Sequence, residues 1–371
     1  MVKLFERLSI ARTRLCVYAT LGISMVFGSV SCLAQTFPKS VFDNLDTGIY
    51  WYNSATGNVK ANGTFPTGYF TNTKPVMIYI HGWQNGSTQK LQRETFSRPA
   101  SDATIDLTAA WRAAGWNMGI FYWNQLADEG EVKDAEAKIW STNGPRKMRW
   151  RKSNGSYVDS GIQKTAAELF VENYKQSMAN YNGNDVRLVG HSLGSQMVIV
   201  AARLISDAVD RGELHVRLLP KRIVLLDPAF LKDGRPYLGG RWTGEVARDY
   251  VDALKNKGVI FESIRSSGST STGIIGDTNN GLMIKTAFRE IKTGYFGALD
   301  FNNKHGAAVW HYFWEFAFPV MPVVGEVGGA PSASATNDRT LVLMIGTKKY
   351  QQDLGGSTKT PSDDNYRAVT K

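Results

Sequence analysis

Short apolar runs recur along this chain, and between them lie longer stretches with apolar positions every three or four residues. Residues 76–80, 116–123, 185–189, 222–226 and 259–264 are such runs, and they read as strands. Most lack polar alternation, the pattern expected where both faces of a parallel sheet are covered. Residues 166–178, 194–211, 243–256 and 307–318 read as helices. Strands alternating with helices in this way make βαβ units. The predicted architecture is α/β, a mostly parallel central sheet with helices on both faces.

The pattern weakens toward the ends. Residues 268–280, rich in Gly, Ser and Thr, read as a loop, and beyond Pro319 the sequence turns to Gly, Ala, Ser and Pro. One short apolar run at 341–345 interrupts it before a polar tail. Residues 40–320 are therefore expected to form the main domain, and 321–371 a partly disordered C-terminal extension with little core. At the other end, Lys3, Arg7, Arg12 and Arg14 precede an apolar stretch that closes on Ser31-Cys32-Leu33-Ala34. That order predicts a signal peptide over 1–34 and an exported protein, secreted or periplasmic. Two alternatives stay open: an uncleaved anchor, since the stretch reaches about 20 residues, and a lipid-modified Cys32.

Composition sharpens this picture. A hydrophobic share of 43% with 11% aromatics fits a chain that buries a sizeable core. The two cysteines, Cys16 and Cys32, both fall in the leader, so residues 35–371 offer no thiol chemistry, disulfide or Cys-held zinc. The net charge is +10; the leader holds four basic residues and one acidic one, which leaves +7 for the remainder. No nucleic-acid motif accompanies that charge and the basic residues are spread widely, so no nucleic-acid partner is expected. Contact with an anionic membrane or micelle surface is the sharper alternative to a plain basic surface.

Gly190-His191-Ser192-Leu193-Gly194 is the most informative stretch. It follows a predicted strand and opens a predicted helix, as a G-x-S-x-G nucleophile turn requires. Gly190 and Gly194 leave room for a tight turn that lifts the Ser192 hydroxyl toward the helix N-terminus. Such a hydroxyl needs an imidazole to take its proton and a carboxylate to orient that imidazole, in the chain order Ser, acid, His. Asp227 ends an apolar strand, before Pro228, and is the candidate acid; Asp277 is the fallback. Of five histidines, His305 and His311 lie far enough downstream. His305 is preferred because Asn302-Asn303-Lys304-His305-Gly306 reads as a loop ahead of the helix. His311, inside that helix, is taken as a residue satisfied by packing and one hydrogen bond. The oxyanion donors would be the Leu193 N–H and, from the loop after an early strand, the Trp83 N–H, with Gly82 allowing close approach. No metal-ligand cluster stands out, so neither metal nor cofactor is expected.

These pieces resemble the pancreatic-lipase-like family of the α/β-hydrolase fold, which includes secreted lipases and phospholipases A1. The matching strings are IYIHGW at 78–83, GHSLGSQ at 190–196, LLDPAF at 225–230 and the Asn303-Lys304-His305 segment before a Tyr-containing helix. The resemblance spans about residues 70–315 and implies a lipid ester substrate and Asp227 as the triad acid. The absence of cysteine beyond the leader departs from the disulfide-rich vertebrate members.

Residues 281–296 are a candidate lid. Ile284, Phe288, Ile291 and Tyr295 fall on one helical stripe beside Lys285, Arg289 and Lys292, a face suited to an anionic lipid surface. A helix packed on the core is the competing reading. For function, acyl-ester hydrolysis through Ser192 leads, as a lipase or phospholipase. The alternatives are a carboxylesterase or thioesterase on soluble substrates, and a non-catalytic binding protein on the same scaffold.

Overall fold

A computed structural model describes residues 35–100, 103–159, 161–268 and 277–371. The predicted signal peptide lies outside the described residues. Ten strands form the central sheet: β1 (Gly48–Tyr52), β2 (Asn58–Lys60), β3 (Val76–Ile80), β4 (Asn117–Tyr122), β5 (Val186–His191), β6 (Arg222–Leu226), β7 (Ile260–Arg265), β8 (Ala287–Glu290), β9 (Lys348–Leu354) and β10 (Asn365–Thr370). Their spatial order is β10-β9-β8-β7-β6-β5-β3-β4-β1-β2. The run from β4 to β9 is parallel, and β1, β2 and β10 close the two edges antiparallel.

The principal helices are α1 (Thr108–Ala113), α2 (Val132–Trp140), α3 (Ala166–Ser177), α4 (Leu193–Asp210), α5 (Thr243–Lys255), α6 (Phe301–Trp314) and α7 (Asn337–Ile345). They cover both faces of the sheet. Phe121 of β4 sits in register with Ile80 and meets Phe170 of α3, with ring centroids 5.1 Å apart. Tyr79, one residue along β3 and so on the opposite face, meets Phe313 of α6 at 5.3 Å. Every residue of β3, β4, β5 and β6 is buried, which explains why these strands read as continuous apolar runs. At the head of α3, Thr165 and Glu168 form a reciprocal capping box, satisfying two N–H groups that the first turn leaves unpaired.

Two expectations are corrected. Residues 321–371 are not an appended extension, because α7, β9 and β10 complete the sheet and Met321, Leu343, Tyr350 and Tyr366 are buried. These strands, at the sheet edge and next to it, escaped notice because they carry few apolar residues: in β9, Lys-Lys-Tyr-Gln-Gln-Asp-Leu, only Tyr350 and Gln352 are buried.

The candidate lid is not a helix. Residues 287–290 form β8, between β7 and β9, and Phe288 and Ile291 are each 3% exposed. Arg289, assigned above to a basic surface stripe, is fully buried and ion-paired with Glu315. Ile284, half exposed after a short helical turn, and Lys292 lie at the surface, while Lys285 and Tyr295 are partly buried. The steps of four and three residues from Ile284 to Phe288 and on to Ile291 matched a helix by coincidence, and burial on both sheet faces decided the element instead.

Phe288→Ala therefore opens a cavity inside the sheet and is expected to cost about 3–5 kcal/mol. Urea unfolding should show that loss, and activity on soluble and on dispersed substrates should fall together. A variant as stable as the parent would contradict the placement of β8 in the core.

Candidate active site

Ser192 stands at the carboxyl end of β5, where the chain reverses into α4. Its backbone is left-handed, with φ 55° and ψ −122°, a conformation that is strained for a residue with a side chain. Close approach on either side holds it there. A Cβ on Gly190 would lie 2.2 Å from the Gly194 carbonyl oxygen, and one on Gly194 would lie 2.1 Å from that of Ile80. Neither position has space for any side chain. Ser192 N–H donates to the Leu226 carbonyl at 3.0 Å, which ties the turn to the tip of β6.

Asp227 follows β6 directly, is fully buried, and shares the left-handed backbone at φ 40°. Its Oδ1 accepts from Ser266 N–H at 3.0 Å and Ser267 N–H at 3.3 Å, and its Oδ2 accepts from the Ser267 hydroxyl. His305 Nδ1–H donates to the same Oδ2 at 2.6 Å. Burial alone would raise the pKa of this carboxyl. The hydrogen bonds from His305 and the two serines outweigh it and hold the group below the ordinary aspartate value. With Nδ1 carrying the proton, His305 Nε2 is left as the basic nitrogen. Among the described residues no hydrogen bond joins that ring to Ser192 Oγ; in unliganded sites this contact is often long and tightens with substrate.

His305 lies in α6, four residues inside its start, and not in a loop as expected. Asp300 caps that helix by accepting from Asn303 N–H at 3.3 Å, which offsets the weak helix propensity of Asn302, Asn303 and Gly306. His311 is fully buried against Trp310, as a packing residue would be, yet neither ring nitrogen has a hydrogen bond, contrary to the one expected. Asp277, the fallback acid, accepts from Asn279 N–H in the loop after β7 and makes no contact with either histidine among the described hydrogen bonds.

Both proposed oxyanion segments border Ser192. Leu193 is the first residue of α4, where N–H groups lack intrahelical partners. Gly82 follows β3, and a Cβ there would come within 2.7 Å of Ser192 Cβ and 3.2 Å of its Oγ. Trp83 comes next, its indole N–H donating to the Glu129 carbonyl at 2.7 Å.

Several contributors were not identified from sequence. His81 is fully buried, stacks on Trp123, and bonds the Gly82 carbonyl through Nδ1 at 2.9 Å; burial pushes its pKa down to about 4. Gln196, one turn along α4, donates to Glu136 at 2.8 Å and to the Ala229 carbonyl at 2.6 Å, joining α4 to the segment after Asp227. Ser266 and Ser267, past the tip of β7, supply the two N–H groups and the hydroxyl that Asp227 accepts from. In a parallel sheet the residues past neighbouring tips adjoin, and that adjacency was the available signal. His191 packs its ring on His305 at 4.5 Å. Among the described residues no group of three or more His, Cys, Asp or Glu is arranged to hold a metal ion.

The parallel sheet, the left-handed serine at the β5–α4 turn and the acid after the next strand together define the architecture. This is the α/β-hydrolase fold. No family model and no curated protein sequence matches the chain. Among solved structures it is similar to Est1E from Butyrivibrio proteoclasticus, at 13% identity and TM-score 0.25 over 52% of this chain and 67% of that one. It is also similar to TT1662 from Thermus thermophilus, at 12% identity and TM-score 0.28 over 64% and 83%. A third is EstE1, a thermostable carboxylesterase from a metagenomic library, at 12% and 0.22 over 51% and 49%. At such values these likenesses add nothing to what the sheet topology already shows.

Asp227→Asn should remove the acceptor that orients His305 and reduce kcat by about 10⁴-fold. Because the folded state holds this carboxyl below its ordinary pKa, its stabilisation is present above that value and lost as pH falls through the folded one. Unfolding midpoints measured in urea from pH 6 downward should therefore fall less steeply for Asp227→Asn than for the parent. An unchanged acid slope would contradict the network around Oδ1 and Oδ2.

Proposed function

We propose that this chain is a serine hydrolase of carboxylic esters, with Ser192 as nucleophile, His305 as general base and Asp227 as its orienting acid. The observation that carries the reading is the 2.6 Å bond from His305 Nδ1 to Asp227, at the same sheet edge as the strained Ser192 turn. In acylation, Ser192 Oγ bonds to the substrate carbonyl carbon while its proton passes to His305 Nε2. The carbonyl oxygen becomes an oxyanion received by the Leu193 and Trp83 N–H groups, each worth about 3–4 kcal/mol in such sites. His305 then returns the proton to the departing alkoxide as the carbon–oxygen bond breaks. Water, activated by the same nitrogen, hydrolyses the acyl-enzyme and restores the hydroxyl. No step calls for a metal or cofactor.

The substrate class we favour is a lipid acyl ester, as for a lipase or phospholipase. Its support is the resemblance carried by residues 78–83, 190–196 and 225–230, and the net positive charge, which suits an anionic membrane or micelle surface. Export is proposed on the basic, then apolar, leader. A second reading, a carboxylesterase or thioesterase on soluble substrates, gains from the burial of Phe288 and Ile291, which takes two of the three named lid residues out of the surface.

A fluorophosphonate probe should label the parent protein covalently and leave Ser192→Ala unlabelled. No labelling of the parent, or equal labelling of both, would overturn the reading. Rates on esters of increasing acyl length, followed across the micellar limit, should rise on the dispersed side for a lipase. A maximum with short, monomeric esters would select the soluble-substrate reading.

A further inference from the structure

The relay of Ser192, His305 and Asp227 leaves one neighbouring histidine without a task. His191 directly precedes Ser192 and is 4% exposed, and its ring centroid lies 4.5 Å from that of His305, with the planes tilted by 42°. Its Nε2–H donates to the His305 carbonyl oxygen at 3.1 Å. A carbonyl can only accept, so this bond fixes the tautomer and leaves Nδ1 of His191 without a proton. Ser266 Oγ donates to the same carbonyl at 3.4 Å. Burial, and then the neighbouring His305, push the pKa of His191 down to about 3, so the ring is neutral near neutral pH. The titratable groups acting on it are His305, Glu94 and Asp227. Of these, His305 alone acquires positive charge during the proposed cycle.

We infer, on the function proposed above, that His191 is a positioning residue for the general base: its neutral ring lies against the His305 imidazole and supports the charge that ring takes on with the Ser192 proton, while its Nε2–H fixes the backbone carrying that ring. A neutral aromatic ring within about 6 Å of a cation attracts it through its quadrupole. Here the ring is in place before the proton moves, so the support requires no reorganisation during the reaction. A protonated His191 would repel the same charge, and burial at the elbow prevents that state. Asp227 fixes the imidazole at its Nδ1 edge, and His191 fixes it from the side of its face.

Three variants separate this role from plain packing. His191→Leu removes ring and donor, His191→Phe keeps a ring without the donor, and His191→Gln keeps a donor without the ring. Each is compared with the parent for ester hydrolysis against pH and for thermal unfolding. His191→Leu should lower kcat about tenfold with KM unchanged. It should also move the acid limb of kcat/KM to lower pH by about half a unit, because the imidazolium of His305 loses support. His191→Phe should keep the parent acid limb and most of kcat, and His191→Gln should shift the limb as leucine does. Should His191→Leu fail to fold, the contrast between Phe and Gln carries the same information. Leu and Phe variants with equal kcat and equal acid limbs would overturn the inference, as would a Gln variant with the parent limb. Failure of the underlying reading looks different: fluorophosphonate labelling of the parent would then be absent or survive Ser192→Ala.

Discussion

Three peptide segments meet behind Ser192 at distances that leave no room for a side chain. A Cβ on Gly194 would press on the Ile80 carbonyl, one on Gly190 would press on the Gly194 carbonyl, and one on Gly82 would press on Ser192 itself. This crowding forces the serine into a left-handed backbone that it would not otherwise adopt. It also brings the loop after β3 beside the first turn of α4, so two backbone segments border one hydroxyl. Only a parallel arrangement of β3, β5 and β6 supplies it, because all three strands must end at the same edge.

The same edge sets the electrostatics. Asp227 is fully buried, and an isolated carboxylate there would be neutral. The two serine N–H groups past the tip of β7, the Ser267 hydroxyl and His305 Nδ1 give it enough donors to stay ionised. An ionised Asp227 in turn keeps the His305 proton on Nδ1. Oxygens and nitrogens from two parallel tips and one helix thus settle each other's protonation, and none needs solvent to do so.

Legibility from sequence followed burial. Strands β3 and β6 read correctly to the residue, because both faces are covered and the apolar run is unbroken. The glycines of the elbow and Asp-Pro after β6 were readable because tight turns demand particular residues. Where a strand is polar or sheltered by neighbours, the signal vanished: β9 and β10 carry one deeply buried tyrosine each, and β8 with its flanks mimicked a helix over Ile284, Phe288 and Ile291. His305 was found by chain order, while its place inside α6 depended on the Asp300 cap, which is one residue in an otherwise helix-poor stretch. His191 could not be read at all, since its contact with His305 joins residues 114 apart in sequence.

The misread C-terminal segment bears on the site through α6. That helix carries His305 near its start, and its far end is clamped by the β8 and 321–335 region. Glu315, just past α6, pairs with buried Arg289 and accepts from Ala333 N–H at 2.8 Å. Tyr312 accepts from Arg187 at 3.0 Å, and the Phe313 carbonyl accepts from the Trp111 indole at 2.8 Å. Burying these charges contributes little net stability, since desolvation offsets the pairing. What they fix is the axial position and rotation of α6, because a helix shifted by one residue would leave Arg289 or Glu315 buried without its partner. Nearly three turns away, that same constraint sets where the ring of His305 can stand. Through Ala333 and through Tyr366 of β10, whose hydroxyl lies 3.5 Å from the Arg289 guanidinium, the C-terminal segment therefore helps to hold the helix that carries the imidazole.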